Sequence, residues 1–103
     1  MLYEIYPFLG SDAVHGNQHT IGEVLFPHNI GLAATHDPKC FRDAGYFMGK
    51  SLLATGFNYA FAPTVAVSHN PQWGRFYETM GADPEWIAKY AAAFVEGTQA
   101  YDS

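Results

Sequence analysis

The chain has one cysteine, Cys40, among 103 residues. A single thiol rules out an intrachain disulfide framework and any cysteine-built zinc knuckle. Basic residues are scarce too: five Lys plus Arg stand against ten Asp plus Glu, a formal net charge of −5. None of them cluster, so the footprint of a nucleic-acid binder is missing. No apolar run approaches the roughly 20 residues needed to cross a bilayer. The start, Met1-Leu2-Tyr3-Glu4-Ile5, has neither a basic stretch nor a long apolar one and does not read as an export signal, which leaves localisation open. Internal repeats, low-complexity stretches and Pro/Gly/Ser linkers are also missing. What is present is a chain that is 49% hydrophobic and 15% charged, which excludes a disordered tail. Its length allows one domain with a core of its own. The aromatic share of 17% is high, and aromatics that do not fill a core often line ligand sites.

The punctuation of the chain is clear. Asp37-Pro38 reads as a helix start, because Asp caps free backbone N–H groups and Pro at the first helical position has none to lose. Phe41, Gly45, Met48 and Leu52 then recur at helical spacing, and Gly56 reads as a left-handed cap. The same start returns at Asp83-Pro84, followed by the apolar face Trp86, Ile87, Tyr90, Ala91, Phe94 and Val95, with a stop expected at Gly97. Between the helices, Phe57 to Ala62 is short, aromatic and apolar, as expected of a strand buried on both faces. Ile5 to Gly10 is a weaker strand candidate, interrupted by Pro7. The order strand, polar segment, helix, strand, polar segment, helix is the grammar of an α/β fold.

Both polar segments follow a strand candidate, at the edge where parallel α/β folds place their ligand sites. In the first, Asp12 offers a carboxylate that accepts two hydrogen bonds side by side, matching two adjacent hydroxyls of a sugar. The alternative is a residue that merely caps a turn. In the second, Trp73-Gly74-Arg75 offers an aromatic face and a planar donor fork. The alternative is an Arg75 that pairs with Glu78 on the surface. His15 and His19 lie four apart, but Gly16-Asn17 argues against a helix and no third ligand follows, so no metal site is expected. Cys40, in the first turn of a helix, has no evident base and is read as structural.

Four blocks carry a resemblance: Asp12-Ala13-Val14-His15-Gly16; Phe26-Pro27-His28-Asn29-Ile30-Gly31-Leu32-Ala33-Ala34-Thr35; Thr55-Gly56-Phe57-Asn58-Tyr59-Ala60-Phe61-Ala62-Pro63; and Trp73-Gly74-Arg75-Phe76-Tyr77-Glu78. In this order and spacing, over about residues 5 to 98, the chain resembles the N-terminal domain of glycoside hydrolase family 3, in its β-glucosidase and exo-β-glucanase branch. The resemblance implies that residues 1–103 are a fragment of a (β/α)8 barrel, with two to three βα units. It implies a retaining glycoside hydrolase acting on terminal β-linked glucosyl residues of β-glucosides or β-glucans, with no metal or organic cofactor. Asp12 and Arg75 then hold hydroxyls of the non-reducing sugar, with His15, Trp73 and Glu78 in support.

The departures from the family pattern flank the site. His69-Asn70-Pro71-Gln72 stands where Arg-Asp-Pro-Arg is usual, and Gly81-Ala82-Asp83-Pro84 where Gly-Glu-Asp-Pro is usual. The two catalytic carboxylates are expected outside this chain: its one Ser-Asp, Ser11-Asp12, belongs to the sugar-binding block, and the family's Lys-His pair is missing. The chain on this reading contributes binding groups, and the rest of the barrel and a second domain complete the enzyme. Two other classes stay open at this point, a non-catalytic carbohydrate-binding module built on the same segment and a small His-rich metal protein.

Overall fold

A computed structural model describes residues 7–100. Two strands, β1 (Gly10–Ser11) and β2 (Tyr59–Ala60), pair in parallel. Between them lie α1 (Asn29–Ala33) and α2 (Pro38–Ala54), and after them a short 3-10 turn (Phe76–Glu78) and α3 (Pro84–Ala100). Parallel strands need a crossover, and here it carries α2, the βαβ arrangement of an α/β fold.

Both helix starts lie where the Asp-Pro pairs stand. The Asp37 carboxylate accepts from the Lys39 N–H, and that of Asp83 from the Glu85 N–H, each at 3.0 Å. A cap of this kind contributes about 1 kcal/mol. Gly56, at φ 94°, ends α2 as expected. The Phe57 N–H reaches the Leu52 carbonyl at 2.9 Å and the Gly56 N–H that of Leu53 at 3.2 Å, the bond pair that closes a Schellman end.

The stop expected at Gly97 is overturned. α3 runs on to Ala100, and Gly97 is buried inside it against α2. A Cβ there would land on the Arg42 carbonyl, and one at Gly45 on the Phe94 carbonyl. Both glycines are therefore contact points that let two helix backbones approach closely. The cost of a mid-helix glycine, about 1 kcal/mol, is offset by that packing. The predicted stripe does form the core: Phe41, Met48 and Leu52 from α2 meet Ile87, Tyr90 and Phe94 from α3. Phe41 and Tyr90 stack at 4.7 Å, and the Tyr90 hydroxyl donates to the Ala33 carbonyl at 3.2 Å.

The strands differ from expectation. Residues 5 and 6 lie outside the described residues, and regular pairing takes in Gly10 and Ser11 rather than the stretch before them. The Asn58 side chain substitutes for a ladder there, accepting from the Leu9 N–H at 2.8 Å and donating to the Pro7 carbonyl at 3.0 Å. Nor is the second strand buried on both faces. Ala60 and Ala62 pack on the core, whereas Tyr59 and Phe61 are 47% and 63% exposed. The physical reason is that the helices of the described residues cover one face of the strand pair only.

Candidate functional site

Asp12 follows β1 directly, and the chain turns sharply behind it. Ala13 takes a left-handed φ of 45° and is wholly buried, so the turn has no room for a larger side chain. The carboxylate of Asp12 is left facing solvent. The long loop that follows is anchored by Asn17, itself buried, whose amide donates to the hydroxyls of Ser51 at 3.1 Å and Thr55 at 2.9 Å at the end of α2. Its carbonyl accepts from the Thr20 hydroxyl at 3.0 Å.

The second polar segment is held by local turns. The Asn70 N–H donates to the Ser68 hydroxyl, the Gln72 N–H to the Asn70 side chain, and the Phe76 N–H to the Trp73 carbonyl. Its outcome is a two-point pair: Arg75 Nε donates to Glu78 Oε2 at 2.6 Å and Nη2 to Oε1 at 3.1 Å. The two partners differ in surroundings, with side-chain exposures of 65% for Arg75 and 5% for Glu78. The pair thus joins a buried carboxylate to a guanidinium that looks outward. Two of the five guanidinium N–H donors are used among the described residues. The Glu78 hydrogen bond holds the Arg75 proton more tightly than usual, and the charge of Asp12 adds to the effect. Glu78 in turn is held below the usual carboxylate range by the Arg75 hydrogen bond and the Arg75 and His28 charges, against burial, which pushes it up.

Of the five residues singled out in the sequence, Asp12 and Arg75 are brought within electrostatic reach of each other from segments far apart in the chain. Trp73 is 39% exposed beside Arg75 in sequence. Glu78 and His15 are engaged internally: Glu78 behind Arg75, and His15 with its Nδ1 2.9 Å from the Phe26 carbonyl. Sequence reasoning gave no site role to His28 or Tyr77. Yet the His15 and His28 rings stack at 3.9 Å, and His28 meets Tyr77 edge-on at 4.8 Å. No spacing rule signals a stack made across irregular backbone. A hollow of about 310 Å³ near Leu52, Phe57, Tyr59, Phe94 and Thr98 includes neither Asp12 nor Arg75. Among the described residues, no three His, Cys, Asp or Glu side chains gather to hold a metal, and no helix is long and apolar enough to cross a membrane.

A parallel strand pair with its helical crossover, and two polar loops joined through the His15–His28–Tyr77 ring contacts, defines an α/β protein. The comparison with known sequences is more specific. The chain belongs to glycosyl hydrolase family 3, matching the description "Glycosyl hydrolase family 3 N terminal domain" over residues 3–102. It is 40% identical over 90 residues to the lysosomal beta glucosidase of Dictyostelium discoideum, covering 87% of this chain and 11% of that protein. It is 36% identical over 92 residues to the probable beta-glucosidase K of Aspergillus fumigatus, covering 87% and 12%. Among solved structures, the exo-1,3/1,4-beta-glucanase of a Pseudoalteromonas species superposes with a TM-score of 0.86 at 43% identity, over 90% of this chain and 12% of that one. The chain therefore spans about 11–12% of the length of these relatives.

Proposed function

We propose that this chain supplies part of the glucosyl subsite of a retaining β-glucosidase-type glycoside hydrolase acting on terminal β-linked glucosyl residues. On this reading residues 1–103 form two to three βα units of the N-terminal (β/α)8 barrel. The observation that carries it is a solvent-facing Asp12 carboxylate directly after β1 and an Arg75 guanidinium braced by the buried Glu78, on two loops joined through the His15–His28–Tyr77 ring contacts. One is an acceptor of paired hydroxyl donors, the other a donor to hydroxyl oxygens, so together they read both roles of a sugar hydroxyl. Glu78 orients Arg75 from behind, His15 ties the loop that follows Asp12 to the Phe26 carbonyl, and Trp73 offers an aromatic face to the ring. The double displacement of a retaining enzyme needs a nucleophile and an acid/base about 5–5.5 Å apart. Those carboxylates come from elsewhere in the enzyme, and the groups here bind and orient the sugar.

The test is Asp12→Ala in a full-length enzyme carrying this segment. Two charge-assisted hydrogen bonds at roughly 1.5–3 kcal/mol each predict a loss of about 3–6 kcal/mol in kcat/KM, on the order of 10² to 10⁴-fold. Much of it belongs in kcat, because hydroxyl contacts tighten as the sugar distorts. Lys39→Ala, at an exposed position outside the site, is the control. A folded Asp12→Ala enzyme within a few-fold of the parent makes Asp12 a turn residue and ends this reading.

A further inference from the structure

The brace behind Arg75 has a support of its own. In the 3-10 turn Phe76–Glu78, the Glu78 N–H donates to the Arg75 carbonyl and the Thr79 N–H to that of Phe76, each at 3.0 Å. The chain becomes extended at Thr79, so the Glu78 carbonyl, like any at a helix end, has no partner within the turn. The Asn29 amide fills that place, donating to the Glu78 carbonyl at 2.9 Å across 49 residues of sequence. Asparagine at a helix start ordinarily serves that helix's own N–H groups. Asn29, the first residue of α1, is buried and turns its amide to another segment instead. Glu78 is thus held twice, its main chain by Asn29 and its carboxylate, at two points, by Arg75. A two-point pair tolerates little displacement of either partner, because both N–H···O bonds must stay aligned.

We propose that Asn29 is a positioning residue for Arg75: its buried amide fixes the Glu78 main chain where the carboxylate can hold the guanidinium at two points. Without that donor the Glu78 carbonyl is a buried acceptor left unpaired, and the turn shifts to satisfy it. The shift draws Glu78 out of the two-point geometry and frees the guanidinium. The proposal concerns the Arg75–Glu78 pair itself. Its consequence for turnover rests on the glucosyl-subsite reading above.

The chain's two arginines, Arg42 and Arg75, make a test that needs no sugar. Phenylglyoxal takes up guanidinium nitrogens and reacts slowly where a carboxylate holds them. Arg42, paired with Glu96 on the surface, is the internal reference. In the 103-residue chain diluted to monomer, mass spectrometry gives the rate at Arg75 relative to that at Arg42. Asn29→Ala should raise this ratio about two- to tenfold, the weight of one hydrogen bond. Asn29→Asp keeps the shape but puts an acceptor where the donor stood, and should raise it at least as much. In Glu78→Gln the pair is already weakened, so adding Asn29→Ala should raise the ratio no further. An unchanged ratio in the folded variants, or the same rise in the Glu78→Gln background, overturns the proposal. Where the short variants unfold, a full-length enzyme carrying the segment decides. There Asn29→Ala should lower kcat/KM for an aryl β-glucoside about two- to tenfold, and no further in an Arg75→Ala enzyme. An equal loss in both backgrounds, or no loss in either, overturns the inference. A raised Arg75 ratio beside an Asp12→Ala enzyme of full activity would sustain the positioning role and sink the glucosyl-subsite reading alone. An unchanged ratio beside an Asp12→Ala enzyme that has lost activity would do the reverse.

Discussion

Phe41 and Phe61 are the same residue type in opposite situations. Phe41 is completely buried between α2 and α3 and stacks on Tyr90, whereas Phe61, one residue past β2, is 63% exposed. The contrast holds across the molecule. On the helix side, the core residues of two 17-residue helices interlock down to backbone contact at Gly45 and Gly97. On the strand side, Phe8, Tyr59 and Phe61 form an edge-to-face row in solvent, with Leu9, Val65 and Val67 also exposed. The face that α2 and α3 share is thus filled by this chain's own residues, while the apolar strand face has no second layer among the described ones. A barrel that places its remaining strands against that face, as the proposed function requires, would explain why aromatics stand there. Asp12 lies at the rim between the two regions. Its presentation depends on the ordered side, through Asn17 and α2, while it looks toward the open one.

The largest expected effect follows from the open side. The 103-residue chain, expressed alone, should self-associate through the exposed strand face and its unpaired edges. Sedimentation at several concentrations checks this, and Phe8→Ser with Phe61→Ser should shift the chain toward monomer. A monodisperse parent with a sharp cooperative melt would break the comparison between the two sides.

A pair of truncations sharpens it. Phe41→Ala should lower stability by about 3–5 kcal/mol, since it opens a cavity in the closed layer. Phe61→Ala, measured in the chain diluted to monomer, should cost less than about 0.5 kcal/mol, the ordinary range for surface positions. Denaturant midpoints with unchanged slopes separate the two. Equal losses would mean that the strand face is packed in solution.

Gly97→Ala ranks next. Alanine is the better helix former, so propensity alone predicts a gain of about 1 kcal/mol. The new Cβ would instead meet the Arg42 carbonyl, and overpacking of this kind costs about 1–3 kcal/mol. The sign of the change in thermal midpoint therefore decides between a glycine that ends a helix and one that joins two.

That same glycine shows how far the fold was legible. Asp37-Pro38 and Asp83-Pro84 marked both helix starts because capping is local chemistry, readable from a few adjacent residues. A glycine inside an apolar pattern has two local meanings, a cap or a close contact, and only the partner helix distinguishes Gly56 from Gly97. The strands were harder because the Asn58 side chain does part of the work of the ladder, which no apolar pattern reveals. α1, five residues long with Gly31 within it, carries no stripe and was not anticipated. In the site, Arg75 and Glu78 lie three apart, so their pairing was legible as an alternative, but the burial of Glu78 was not. That burial removes the distinction between a surface pair and a site residue, because one partner is interior and the other faces out. The His15–His28 stack depends on how two irregular loops fold over each other, which sequence spacing does not encode.

The smallest expected effect is the pH dependence of stability, and its sign follows from two groups at the join between the regions. Burial, then His15, lowers the His28 pKa from its ordinary 6.5, so below that value the unfolded chain binds more protons than the folded one. Its contribution is present above pH 6.5 and is lost as the pH falls through the lower folded midpoint. Glu78, lowered from 4.5 chiefly by the Arg75 hydrogen bond, acts with the same sign in a lower window, present above 4.5 and lost on further acidification. Stability should therefore decline in two stages on the acid side, the first from His28 and the second from Glu78. Glu78→Gln should remove the second stage and keep the first, while His28→Phe does the reverse. Measuring the denaturant midpoint of a strand-face variant that stays monomeric, from about pH 7.5 down to about pH 2, separates the stages. A midpoint that rises on acidification would contradict both assignments, because neither a half-buried imidazole with an unpartnered Nδ1 nor a carboxylate bound to arginine gains from added protons.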